Sequence, residues 1–128
     1  MKPKEIGDKG ELFASEYYKK LGYEVKEMNY HSRRGEIDVI AENEEFIVFC
    51  EVKTRNENSF GAPSDAVDFK KREKLTLTAM QYIEKTETLK QPRFDVFEVW
   101  QTQGRIYKFN NIENAFEAED FSGRYDVF

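Results

Sequence analysis

The stretch GEIDVIAENEEFIVFCEVKT, residues 35–54, decides the fold. It contains two runs rich in Ile, Val and Phe, at residues 36–41 and 46–54, which are separated by the polar segment ENEE. β-branched and aromatic residues favour strands, and a short polar segment between two such runs favours a hairpin turn. The stretch therefore predicts a β-hairpin.

Charged side chains interrupt these apolar strands. Because side chains alternate between the two faces of a strand, Glu51 and Lys53 are predicted to project from one face together. By the same rule, Asp38 and Ile40 share one face of the first strand, and Ile37 lies on the opposite face with Val39. The hairpin can bring Asp38 beside Glu51. Adjacent carboxylates repel each other by up to about 1 kcal/mol, and a divalent cation offsets that cost.

These side-chain types suit a phosphodiester-cleaving centre. Mg²⁺ and Mn²⁺ take one or two carboxylates and keep several waters, one of which can attack a phosphate. Lys53 would orient or help deprotonate that water and stabilise the charge on phosphorus. The spacing is equally compatible with a simpler interpretation, in which Asp38 and Glu51 form surface ion pairs with Lys53 and Arg34, each worth about 0 to 1 kcal/mol.

A helix is predicted before the hairpin. In residues 6–21, small and apolar residues recur at spacings of three and four, and Glu11 lies on the same, inward face. From there Glu11 would accept a hydrogen bond from a metal-bound water. Residues 23–30, which follow, have the alternation of a strand.

A second helix is predicted after the hairpin. It begins after Pro63, with Ser64 as its N-cap and Asp65 in its first turn, and runs to about Lys85. Its apolar stripe is extended by Lys71, which could meet a phosphate oxygen. Strands at residues 93–100 and 105–109 follow, and the resulting order predicts an α/β fold in which a helix covers each face of a central mixed sheet.

Length and composition bound the rest of the interpretation. The 128 residues are predicted to form a single domain, with a core at about residues 7–110 and a tail at 111–128 whose phenylalanines pack onto it. The single cysteine makes no disulfide and seeds no zinc site. The sequence contains no run of about 20 apolar residues, the length needed to cross a membrane. The N-terminal residues lack the apolar segment of an export signal. We therefore expect a cytoplasmic protein.

The net charge of −5 argues against a surface dominated by phosphate contacts. Local basic spots nevertheless occur at Arg33 and Arg34 and around Lys71.

Several segments together resemble one known family. They are GDKGELFASEYYKKLGY, Asn29, RRGEIDVIAE, IVFCEVKTR, FGAPSDAV with Lys71, and RFDVFEV. In this order they are similar to the YraN family (UPF0102), which is related to archaeal Holliday junction resolvases within the PD-(D/E)xK nuclease superfamily. The resemblance extends over roughly residues 7–99.

The resemblance implies a restriction-endonuclease-like core and a metal-dependent endonuclease. It makes Asp38 and Glu51 metal ligands, with Glu11 as the acid of the first helix, and Lys53 the catalytic lysine. Mg²⁺ or Mn²⁺ would be the cofactor, and structured DNA, such as a junction, the partner. A homodimer would allow two strands to be cut.

The nucleic-acid-binding residues carried over from the resemblance are Arg33, Arg34 and Lys71, with Glu36 also on the substrate side. Two alternatives stay open at this point. One is a nuclease-fold module that binds DNA or assembles a complex without useful turnover, which the net charge favours. The other is a nuclease directed at RNA.

Overall fold

The computed structural model describes residues 2–56 and 67–118. Within this part of the chain the elements follow the predicted order of helix, three strands, helix and two strands. Their bounds are α1 Pro3–Lys20, β1 Glu24–His31, β2 Glu36–Glu42, β3 Phe46–Asn56, α2 Phe69–Thr86, β4 Gln91–Thr102 and β5 Arg105–Phe116.

The strands form one five-stranded sheet in the order β1-β2-β3-β4-β5. Neighbouring strands are antiparallel except β3 and β4, which are parallel and are connected through α2. A parallel pair needs such a crossover, because a tight turn can only join antiparallel strands. The prediction of an α/β fold with a central mixed sheet flanked by helices is confirmed, and the arrangement is consistent with a restriction-endonuclease-like core.

Each face of the sheet has its own apolar core. On one face, α1 packs Ala14 and Tyr18 against residues that include Val48 and Phe97. On the other face, α2 contributes Leu75, Ala79 and Tyr82 to a second cluster. There they pack with sheet residues that include Phe49 and Phe94. The two faces are called here the α1 face and the α2 face.

The alternation predicted for β2 is wrong at one position. Ile37 lies in the α2-face cluster together with Ile40, whereas Val39 lies in the α1-face cluster. The Cα pairing of β2 with β3 runs from Glu42 only as far as Val39. Because β2 leaves β3 at Asp38, the two-residue alternation is interrupted there.

The predicted start of the second helix is also wrong. The N-cap of α2 is Asp68, whose Oδ1 accepts a hydrogen bond from the backbone N–H of Lys71 at 2.9 Å. Ser64 and Asp65 lie outside the described residues. Ser and Asp are both favourable N-caps, so a sequence with three candidates in five positions does not show which of them begins the helix.

The last strand is longer than predicted and continues to Phe116. The Phe116 ring is buried and stacks on Phe94, with 4.8 Å between the ring centroids. This phenylalanine packs onto the domain as predicted, whereas Phe121 and Phe128 lie outside the described residues. Neither described helix is both long and apolar enough to span a membrane.

Candidate functional site

The candidate site lies where β2 and β3 separate. The last Cα pair of the hairpin is Val39 with Cys50, so Asp38 and Glu51 hold the next position on each strand. Instead of continuing the ladder, Asp38 accepts a hydrogen bond at Oδ2 from the backbone N–H of Val52, at 2.8 Å. The carboxyl groups of Asp38 and Glu51 are close enough to share a hydrogen bond.

Helix α1 brings a third carboxyl group to the same place. It packs closely on the sheet at Gly10, where an added Cβ would lie 2.9 Å from Oγ1 of Thr54. The next residue, Glu11, reaches Asp38 and the side-chain amide of Asn29. Its Oε1 atom is buried and has no hydrogen-bond partner. Two strands and a helix therefore converge on one acidic centre.

The electrostatics of this centre disfavour negative charge. Burial, with the charge of Asp38 as the second cause, raises the pKa of Glu51 from its ordinary 4.5 to about 7. Burial also raises the pKa of Asp38, although the hydrogen bond from Val52 works in the opposite direction. The pKa of Glu11 is raised by burial and then by Asp38. A bound cation would relieve all three costs at once.

Two lysines stand on the α2-face side of the centre. The ammonium of Lys71 lies 3.0 Å from Oε1 of Glu51. Lys53 follows Glu51 on β3 at a spacing of two residues and is half-buried. Among residues 2–56 and 67–118, Lys53 forms neither a hydrogen bond nor an ion pair, so within these ranges its ammonium has no partner competing with a substrate.

A cleft of about 590 Å³ opens beside Glu51. One wall is the first turns of α2, and the other is the turn between β1 and β2. The described part of the lining is mostly polar or charged and contains no Phe, Tyr or Trp side chain. It consists of His31, Ser32, Gly35, Glu36, Glu51, Asp68, Lys70, Lys71, Lys74 and Leu75. Three lysines line one wall, and the carboxylate of Glu51 lies at one edge of the cleft. This arrangement suits the binding of a phosphate group close to a metal ion.

The structure does not bring Arg33 and Arg34 into this lining. Both are exposed on the β1–β2 turn, where the N–H of Ser32 donates to the carbonyl of Gly35 at 2.8 Å. Glu36 does line the cleft, and its Oε2 lies 3.2 Å from Nδ1 of His31. The two arginines thus flank the cleft at its rim.

The side chains fit a divalent ion held mostly by water. Within the described residues, no group of three or more Asp, Glu, His or Cys side chains is placed to bind one metal ion. Mg²⁺ does not require one, because it commonly takes one or two carboxylates and keeps several waters. Asp38 and Glu51 supply two such carboxylates, and the buried, unpartnered Oε1 of Glu11 is an acceptor that a bound water could fill.

Three residues were missing from the sequence-based set of site residues. Lys70 and Lys74 line the cleft, and a pattern search finds them only as part of a basic run, which is common on solvated faces. Asn29 contacts Glu11 from β1 and has a positive φ of 53°. Asn tolerates this conformation better than most residues, but nothing in the sequence indicates that the backbone adopts it.

Comparison with known proteins identifies relatives over most of the chain. The sequence profile of the Uncharacterised protein family UPF0102 matches residues 10–99. A UPF0102 protein of Caldanaerobacter subterraneus subsp. tengcongensis is 44% identical over 116 residues, which are 88% of this chain and 95% of that protein.

Two further UPF0102 proteins are equally similar. One from Alkaliphilus oremlandii is 44% identical over 116 residues, covering 88% of this chain and 98% of the relative. One from Clostridium botulinum is 44% identical over 117 residues, covering 89% and 95%. The chain therefore belongs to the uncharacterised protein family UPF0102.

Proposed function

We propose that this protein is a divalent-metal-dependent endonuclease that hydrolyses phosphodiester bonds of DNA, with structured or branched DNA as its substrate. The observation that carries the proposal is the convergence of Glu11, Asp38 and Glu51, from three separate elements, beside an open cleft with a lysine wall. Grouping the buried Glu51 with the half-buried Asp38 and Glu11 is unfavourable unless positive charge offsets their repulsion.

Each residue has a distinct role in this reaction. Asp38 and Glu51 would hold Mg²⁺ or Mn²⁺, which when bound supplies an activated water and polarises the phosphate. Lys53 orients the attacking water and stabilises the charge that develops on the phosphate oxygens. Glu11 accepts a hydrogen bond from a water of the centre. Lys71 meets the phosphate from the cleft side.

The test is a cleavage panel of DNA junctions, flaps, linear duplexes and single strands, with matched RNA substrates, in Mg²⁺ and in Mn²⁺. We expect cleavage by the wild type and none by the Asp38→Ala, Glu51→Ala double variant. Lys53→Ala should lower the rate by about 100- to 10,000-fold. Glu42→Gln is the matched control, because it removes an acid at the other end of β2, away from the cleft.

The proposal fails if the wild type cleaves no member of the panel faster than the double variant. Cleavage confined to RNA would retain the centre but change the substrate class, and sensitivity to the 2′-hydroxyl would identify that case.

The net charge of −5 supports a second candidate, a nuclease-fold module that binds DNA or assembles a complex without turnover. Calorimetric titration with Mn²⁺ separates the two candidates. Binding that disappears in Asp38→Asn supports the enzyme, and absence of such binding supports the module.

A further inference from the structure

Lys71 differs from the two other lysines of the cleft. Lys70, Lys71 and Lys74 all line it, but Lys71 alone is paired with Glu51, at 3.0 Å. Within residues 2–56 and 67–118, neither Lys70 nor Lys74 forms an ion pair. Lys71 therefore serves the acidic centre, whereas its neighbours face only the cleft.

The two partners of this ion pair differ in burial. The side chain of Glu51 is 9% exposed, whereas that of Lys71 is 45% exposed. Lysine has a flexible four-carbon stem and a compact ammonium group. The ammonium of Lys71 can thus leave Glu51 by rotating about side-chain bonds into the open cleft, with no change in the backbone of α2.

The ammonium of Lys71 contacts the carboxylate that would also bind a divalent ion. A divalent ion on Glu51 and the ammonium of Lys71 repel each other, and they draw on the same carboxylate charge. We propose that Lys71 is a shared cation, which neutralises Glu51 in the ion-free protein and moves to a backbone phosphate in the cleft once a divalent ion is bound. This inference rests on the ion site of the proposed function.

The exchange has a consequence that a fixed phosphate-binding lysine lacks. Removal of Lys71 takes away a competitor of the ion but also a ligand of the phosphate. The affinities for the ion and for DNA should therefore change in opposite directions. In the wild type, ion and DNA each favour the state that the other needs, so their binding is reciprocally coupled.

The first measurement is calorimetric titration of Mn²⁺ without DNA at about pH 8.5, above the raised pKa of Glu51, which is about 7. We expect Lys71→Met to lower the Kd for Mn²⁺ by about threefold to tenfold. Lys70→Met, one residue away on the same wall, should leave the Kd within about twofold. Lys71→Gln also removes the charge and should lower the Kd by a similar factor, so it serves as the second variant if Lys71→Met folds poorly.

The second measurement is the affinity for a nuclease-resistant phosphorothioate DNA duplex, with and without Mn²⁺. Lys71→Met should lose about threefold more affinity in the presence of Mn²⁺ than in its absence. Lys70→Met should lose the same factor in both conditions, because its ammonium is not drawn to Glu51.

The outcomes separate this inference from the function on which it rests. If the Mn²⁺ binding of the wild type persists in the Asp38→Asn variant, the proposed ion site is wrong, and the proposal of a shared cation is wrong as well. If that binding depends on Asp38 but Lys71→Met leaves it unchanged or weaker, the ion site stands and the shared cation is wrong. An equal loss of DNA affinity with and without Mn²⁺ also overturns it.

Discussion

The carboxylate of Asp95 and the acids of the candidate site have opposite surroundings. On the α1 face, Asp95 is 1% exposed and accepts hydrogen bonds from several groups within the protein. Arg93 donates from Nε at 2.9 Å and from Nη2 at 2.8 Å. The hydroxyl of Tyr18 donates at 2.6 Å, and the backbone N–H of Asn114 donates at 3.0 Å.

The acids of the candidate site lack such a set of donors. Glu51 is paired with the half-exposed Lys71, Asp38 receives one backbone N–H, and Oε1 of Glu11 has no hydrogen-bond partner. A carboxylate that maintains a fold completes its hydrogen bonds within the chain, as Asp95 does. Carboxylates held together without enough donors are disposed to accept a ligand from outside.

The largest expected effect concerns the α1 face. Within the described part of the chain, Asp95→Asn leaves the buried guanidinium of Arg93 with only the exposed Glu113 as an acidic neighbour, at 3.9 Å, and losing one partner of a buried pair costs about 3 to 5 kcal/mol. We expect the free energy of unfolding, measured in urea, to fall by this amount.

Asp38→Asn is the matched control on the other strand pair. Its amide oxygen can still accept from Val52, and it removes a charge that repels its neighbours, so we expect a change within about 0.5 kcal/mol. Equal losses for the two variants would abolish the distinction between the two groups of acids.

An intermediate effect is expected from the pH dependence of Glu51. Its pKa is raised in the folded protein from 4.5 to about 7, so the folded state binds more protons between these values. The contribution of Glu51 to stability is then full below about pH 4.5 and is lost as the pH rises through 7. With allowance for the shared burial with Asp38, the loss should be roughly 2 kcal/mol.

Glu51→Gln should remove this dependence. In urea unfolding without divalent ions, the variant should be the more stable protein at about pH 8.5 and nearly equal to the wild type at about pH 4.5. A wild type whose stability changes with pH just as the variant's does would show that Glu51 is not a strained acid.

The smallest expected effect concerns the contact that places Glu11. Gly10→Ala puts a Cβ 2.9 Å from Oγ1 of Thr54 and 3.2 Å from Cγ2 of Val99. Such overpacking should cost about 1 to 2 kcal/mol in thermal unfolding and should weaken Mn²⁺ binding by displacing α1.

Gly7→Ala is the control on the same helix. An added Cβ there meets nothing within 4 Å, so the higher helix propensity of alanine should stabilise the protein by about 0.5 to 1 kcal/mol. Destabilisation by Gly7→Ala would show that the helix, and not the contact at Gly10, is sensitive.

Much of the fold was predictable because its signals are local. The Ile- and Val-rich runs around the ENEE turn predict the hairpin of β2 and β3, and the helical spacing around Glu11 predicts α1. The errors occur where local signals compete or end. Ser64 was predicted as the N-cap of α2, whereas Asp68, a residue type that caps equally well, begins the helix. Strand β5 continues beyond its apolar pattern, since its residues are mostly exposed up to the buried Phe116.

The candidate site, like the fold, was predictable where it depends on local periodicity and not where it depends on tertiary contacts. By itself, the sequence determined that Glu51 and Lys53 share a strand face and that Glu11 lies on the inward side of a helix, because both follow from the periods of 2 and 3.6 residues. Only the tertiary structure decided that β2 leaves β3 at Asp38, that Asn29 reaches Glu11, and that Lys71 meets Glu51. These contacts depend on how helices and strands distant in sequence pack together, and side-chain periodicity carries no information about that packing.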